Sequence, residues 1–415
     1  MRDPAHRLVA LVAAWLLTRA VVLVGSRARG LYPYQDDPFE ISVLAGWGAA
    51  FAGDGGPVPL RDGPWEYPLG AVPVVLLPAL LDGAPYVLGF VAQMVLWDAA
   101  LLLLLVLVGL RQGSLAGAWS WVAAVPLLGP VALARFDVVP TALAVAGLAS
   151  PPLVAGALLA TGAAVKVWPA LLLPLVLALR PGGVRVLAGA LAVGASALAA
   201  AAAAGVLGQV LSPLAYQRER GLEVESVPAL PLVLARAAGD DRVVVSFGFG
   251  SYQVDGSWAG ALLAASSAGT ALVLLAVALL TWRVRSERAL LPLAVLLVSG
   301  VLLFDKVLSA QYPLWLAGLV ALALCRPGSQ MRAAVPPLAG VLVLTHLVYP
   351  LAVQDLLAGA AAPAALLAVR DALLLVLAVV AARAAWRSRD DRPRGRSEHE
   401  VPADVQQRHQ AEPAG

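Results

Sequence analysis

The chain has 415 residues, 60% of them hydrophobic and only 13% charged, with a mean hydropathy of +0.82. A soluble domain carries roughly twice that charged share, so the composition specifies a helical protein that crosses a membrane many times. One cysteine and four scattered histidines exclude a disulfide framework and a Cys/His metal site, and a net charge of +3 held in short loops and the tail marks membrane orientation, without a basic domain for nucleic acid.

The first apolar run, Leu8 to Val24, follows Arg2 and Arg7 as a signal peptide would. It lacks a small-x-small cleavage site and reads as an uncleaved first helix. Further spans are expected at about 86–110, 186–207, 258–282, 289–304, 307–325, 333–350 and 363–386, the first being 8–25. From 115 to 180 the chain is apolar throughout, but Gly129-Pro130, Ser150-Pro151-Pro152 and Lys166-Val167-Trp168-Pro169 cut it into about four short helices. Segment 69–81, interrupted by Pro73 and Pro78, reads as an insertion that dips into the membrane without crossing. The fold class is therefore all-α and integral to the membrane, a polytopic bundle of about twelve spans over 1–387, followed by a polar tail, 388–415, expected to be disordered and cytoplasmic.

Arginines in short loops set the orientation. Arg180 with Arg185, Arg283 with Arg285 and Arg288, and Arg326 with Arg332 are expected to be cytoplasmic, as are both termini. Loops 26–68 and 208–257 then lie outside, although Arg27 and Arg29 in the first of them run against the rule. Asp36-Asp37, Glu66-Tyr67, Arg135-Phe136-Asp137, Lys166, Tyr252 and Asp305-Lys306 all fall on the same outer face. Ionisable groups in a membrane helix cost about 2.5–3.5 kcal/mol each on insertion scales, so this gathering suggests a polar cavity opening outward.

Asp37-Pro38-Phe39-Glu40 has the form of a helix start: an N-cap, a proline at the first helical position and an acid two residues on. Phe39, Val43, Trp47 and Phe51 then recur every fourth residue, which predicts an amphipathic helix on the membrane surface. Asp37 is as readily a cap as a base, whereas Asp36 has no capping role. Arg135-Phe136-Asp137 reads as an interfacial ion pair or as part of a site, and Lys166 beside Trp168 as a snorkelling lysine or a phosphate ligand. Lys306 next to Asp305 presents the same choice. A phosphate needs Lys or Arg as counter-charge, and an attacking hydroxyl needs a carboxylate within hydrogen-bond reach. Arg19 and Asp98, near the middle of their helices, are expected to pair with each other. Outer-end aromatics such as Trp47, Trp65, Tyr67, Tyr252 and Tyr312 are interface anchors, or platforms for a sugar ring.

Four stretches resemble one family. Glu66-Tyr67-Pro68-Leu69-Gly70 resembles the Glu-Tyr-Pro-Pro-Gly of glycosyltransferase family 87, and Arg135-Phe136-Asp137 its Arg-Phe-Asp motif. Ala164-Val165-Lys166-Val167-Trp168-Pro169 is similar to its Ala-Val-Lys-aromatic-Pro stretch, and Lys306-Val307-Leu308-Ser309-Ala310-Gln311-Tyr312 to its Lys-Val-Leu-Ser-Pro-Gln-Tyr. Leu69 and Ala310 stand where the family has proline. The resemblance implies a bundle of the GT-C type in the cell membrane that takes a sugar, mannose above all, from a polyprenyl-phosphate donor on the extracytoplasmic face. It implies an inverting transfer to a cell-envelope glycolipid or glycan, with no metal or other cofactor and an acid of the first outer loop as base. Asp36 or Asp37 would be that base, with Glu40 also in reach by its spacing to Trp47. Arg135, Lys166 and Lys306 would hold the phosphate, and Glu40, Glu66, Tyr67, Asp137, Tyr252, Gln311 and Tyr312 would line the substrate pocket. Arg218, Arg220 and Tyr252 mark loop 208–257 as an acceptor or lid element. The rival readings are a transporter or lipid carrier without chemistry, and an inactive partner of another envelope enzyme.

Overall fold

The computed structural model describes residues 4–27, 32, 41–54, 56–63, 65–81 and 83–389. The readings of Asp36, Asp37 and Glu40, and of the tail from Asp390 on, fall outside those residues.

The chain begins with α1 (Pro4–Gly25), followed by α2 (Ile41–Ala52), α3 (Ala71–Ala79) and α4 (Tyr86–Gln112). Nine residues at 1.5 Å each carry α3 only about 13 Å, too short to cross a hydrocarbon core of about 30 Å. It packs on α2 and α4. The interval 115–180 divides at the three expected cuts and once more at 135–137, giving five helices where about four were expected: α5 (Ala116–Leu128), α6 (Val131–Ala134), α7 (Val138–Ala149), α8 (Pro152–Val165) and, after a tight turn at Trp168–Leu172, α9 (Leu173–Leu179). At the expected cuts, Pro130, Pro151 and Pro169 lack the N–H that would continue the preceding helix, whereas the break at 135–137 contains no proline.

Next come α10 (Gly183–Ala203), α11 (Ser212–Glu219), β1 (Leu222–Glu223), α12 (Leu230–Ala237), β2 (Val244–Gly248) and β3 (Ser251–Asp255). The strands form a small antiparallel sheet in the order β1-β3-β2, an addition to the helical bundle that the apolar pattern did not announce. The chain returns through α13 (Ala259–Val284), α14 (Leu290–Phe304), α15 (Pro313–Leu324), α16 (Val335–His346), α17 (Val353–Leu357) and α18 (Ala361–Arg387). Among the described residues, seven helices are long and apolar enough to cross a membrane, and shorter apolar helices pack between them.

Two apolar cores result. The larger runs through the bundle, and the smaller joins the sheet and α12 (Leu222, Leu232, Val233, Val254) to α17 and α18 (Leu356, Leu367). Large apolar side chains stay exposed along α1, α4, α10 and α13, among them Leu16, Leu103, Leu191 and Leu275. Such a belt is what a lipid-facing surface requires. Close helix contact comes from small residues: a Cβ on Gly156 of α8 would collide with the Val186 carbonyl of α10, and one on Gly189 with the Leu153 carbonyl.

Arg19 and Asp98 do pair. The guanidinium donates from Nε and Nη2 to the two carboxylate oxygens at 2.8 and 2.7 Å, and Asp98 is wholly buried.

Candidate active site

The Glu66-Tyr67 turn is fixed by aromatic packing. Trp65 is fully buried against Trp47 and Phe51, each with ring centroids 5.3 Å away, and Tyr67 continues the chain of rings to Phe136 at 4.9 Å. Trp47 and Phe51, half of the stripe read as membrane-facing, thus turn inward onto Trp65, while Val43 stays exposed. Behind the turn, the Gly70 N–H donates to the Ala164 carbonyl at 2.7 Å, and a Cβ at position 70 would lie 2.7 Å from that same oxygen. Only glycine permits this approach, which sets Glu66 and Tyr67 beside the end of α8 and Lys166.

Lys166 leaves α8 in an extended conformation. Its ammonium donates to both Asp137 oxygens at 2.8 and 2.9 Å and lies 4.7 Å from the Tyr312 ring centre and 5.5 Å from that of Trp315. The Trp315 indole also donates to Asp137, at 2.7 Å. Asp137 is therefore a buried carboxylate already satisfied by an ammonium and an indole.

The Asp305-Lys306 turn is clasped to the segment after α11. Lys306 Nζ donates to the Arg218 and Arg220 carbonyls at 3.1 and 2.6 Å, and its own carbonyl accepts from the Glu223 N–H at 2.9 Å. Ser309 donates to the Glu223 carboxylate at 3.2 Å. The hairpin of β2 and β3 closes the other side, turning at Phe249 and Gly250 with φ of 53° and 69°. Both positive angles fit a two-residue hairpin turn, unusual for a residue as bulky as phenylalanine.

These elements enclose a cavity of about 480 Å³. Of the residues singled out in the sequence, Glu66, Tyr67, Arg135, Lys166, Tyr252, Lys306, Gln311 and Tyr312 line it, whereas Asp137 stands behind the wall. The helix α2, which begins directly after the segment of Asp36, Asp37 and Glu40, contributes Val43, Leu44 and Trp47. Arg220, read as part of an acceptor or lid element, and Asp305, placed on the outer face beside Lys306, line it as well, and so do Glu223 and Glu225, which the sequence reading did not single out. Glu223 and Glu225 did carry a signal: Leu222-Glu223-Val224-Glu225 alternates apolar and charged residues as a strand does. Their burial was not legible there, because a strand this short gains its partners only in the tertiary fold.

Burial raises the carboxyls of Glu223 and Asp305, and pushes Glu225 up to about 8. It also lowers Lys306. The rim is apolar and exposed at Val43, Val167, Leu214 and Phe247. No group of three or more His, Cys, Asp or Glu side chains converges as a metal site among the described residues.

A second, smaller cavity of about 170 Å³ lies at the other end of α14, lined by Arg111, Arg180, Glu287 and Arg326. The residues assigned to opposite membrane faces are thus gathered at opposite ends of one helix.

A family model described as glycosyltransferase family 87 matches residues 65–304, more than half of the chain. No curated protein matches it.

Proposed function

The chain belongs to glycosyltransferase family 87 and is a membrane glycosyltransferase, and from that premise we propose that it transfers a sugar from a polyprenyl-phosphate donor. One observation carries this reading: a single cavity joins cations, carboxylates and an exposed apolar rim. The cations Arg135, Lys166 and Lys306 suit a phosphate. The rim of Val43, Val167, Leu214 and Phe247 suits an isoprenoid chain entering from the bilayer. Tyr67, Tyr252 and Tyr312 offer faces for a sugar ring, and Glu66 and Gln311 hydrogen-bonding groups for its hydroxyls.

In the proposed reaction, Asp36 or Asp37 takes the proton of the acceptor hydroxyl. The acceptor oxygen bonds to the anomeric carbon as the bond from that carbon to the phosphate oxygen breaks. Polyprenyl phosphate leaves and the anomeric configuration inverts. Mannose as the sugar and a cell-envelope glycolipid or glycan as acceptor follow from the motif resemblance. About twelve crossings are proposed, with α2 in the first outer loop, the cavity extracytoplasmic and both termini cytoplasmic.

The test is transfer from radiolabelled polyprenyl-phosphate-mannose in membranes containing wild type, Asp36→Asn or Asp37→Asn. Loss of at least about a hundredfold in one variant at equal expression is expected of a general base. Transfer undiminished in both would remove these residues from the role. No transfer by wild type, with this donor or with other polyprenyl-linked sugars, would favour a carrier or an inactive partner.

A further inference from the structure

Among the described residues four cations line the cavity, and their other contacts differ. Lys166 is held by both oxygens of Asp137 and boxed by the rings of Tyr312 and Trp315. Lys306 spends two donors on the carbonyls of Arg218 and Arg220. Arg135 has other interactions of its own. Arg220 makes one side-chain hydrogen bond, from Nη2 to the Ser251 hydroxyl at 2.7 Å, and forms no ion pair among the described residues. It is nevertheless only 8% exposed.

Such a group is held ready. Its backbone carbonyl accepts from Lys306, the next N–H (Gly221) donates to the Gln253 side chain at 2.8 Å, and Ser251 fixes one edge of the guanidinium. Its charge acts on Tyr67, Tyr216, Glu223, Asp305 and Lys306, which places it centrally among the ionisable groups of the site. A guanidinium has further N–H donors beyond the one Ser251 accepts, in a planar fork that matches two phosphate oxygens. An arginine this buried needs a counter-charge, and among the described residues no carboxylate sits within ion-pair distance.

We propose that Arg220 is a further direct ligand of the donor's phosphate, gripping it bidentately from the hairpin side of the cavity, beside Arg135, Lys306 and the Lys166 that Asp137 holds in place. This rests on the reading of the cavity as a lipid-phosphate-sugar site.

The experiment uses the purified full chain in detergent and two probes, farnesyl phosphate and farnesol, with binding followed by tryptophan fluorescence. Wild type is expected to prefer the phosphate. Arg220→Gln should weaken farnesyl phosphate binding by about tenfold or more while farnesol binding, which needs only the apolar rim, stays as it was. Arg220→Lys, a point charge without the fork, should fall between them. The preserved farnesol binding separates loss of a phosphate ligand from loss of fold. If Arg220→Gln binds farnesyl phosphate as tightly as wild type does, the assignment is wrong and the donor reading survives. If wild type shows no preference for the phosphate, the donor reading and the assignment fall together.

Discussion

Asp98 has no exposed surface, yet four N–H groups reach its two oxygens: two from Arg19, one from Trp15 at 2.6 Å and one from Trp121 at 2.8 Å. Arg19 spends a further donor on the Val122 carbonyl at 2.8 Å. A buried carboxylate is tolerable only when its lone pairs are taken in this way, and removing one partner of such a pair costs about 3–5 kcal/mol. Glu225 is the opposite case. It is buried without a full set of donors, and desolvation outweighs the help of Arg370, so its carboxyl is raised from 4.5 to about 8. Between those values the folded protein holds a proton that the unfolded chain has released. Stability should therefore fall as pH rises through that window and level off above about 8. Melting temperatures of wild type and Glu225→Gln, compared across that range, check this. Wild type should lose stability relative to the variant as pH rises, and parallel curves would show that Glu225 titrates normally.

Among the elements, the β2–β3 hairpin carries an evident tension. Phe249 takes a left-handed conformation with φ of 53°, and its ring packs 5.2 Å from that of Tyr216 while it lines the cavity. That backbone costs a side-chain-bearing residue about 1–2 kcal/mol, a cost glycine does not bear. Strain of this kind persists where the surroundings hold it in place, and it is commonest at functional sites. Phe249→Gly should therefore melt above Phe249→Ile, although isoleucine keeps an apolar side chain, because β-branching is least compatible with this turn. The reverse order in thermal denaturation would deny the left-handed turn. Neither α3 nor the hairpin is built from long-range pattern: α3 holds Pro73 in its first turn and Pro78 in its last, and the hairpin turns where Gly248 and Gly250 bracket Phe249.

For the whole molecule, the separation of the two cavities along α14 bears on orientation. Arg111, Arg180 and Arg326 come from distant parts of the chain and meet at one end, while Glu66, Arg135, Lys166 and Lys306 meet at the other. The 26 residues of α13 reach about 39 Å, enough to connect the sheet-bearing segment to the arginine end across a bilayer. With Cys325, the single cysteine, replaced by serine, Asp241→Cys should react with a membrane-impermeant maleimide on intact cells, and Arg283→Cys only after permeabilisation. Equal labelling of both would overturn the proposed sidedness.

By itself the sequence determined that the protein is a helical membrane protein, three of the places where its apolar interval is cut, that Arg19 meets Asp98, and which motifs resemble family 87. Those readings rest on properties a chain carries locally: hydropathy, the missing N–H of proline, and the cost of an unpaired charge in hydrocarbon. Only the tertiary structure decided that Asp137 is sealed against Lys166 and Trp315, that Lys306 clasps a neighbouring loop, and that Arg220, Glu223 and Glu225 face the cavity. The partners of these groups lie tens to hundreds of residues away. A charged side chain looks the same in sequence whether its counter-charge comes from a neighbouring element or is left for a ligand to supply.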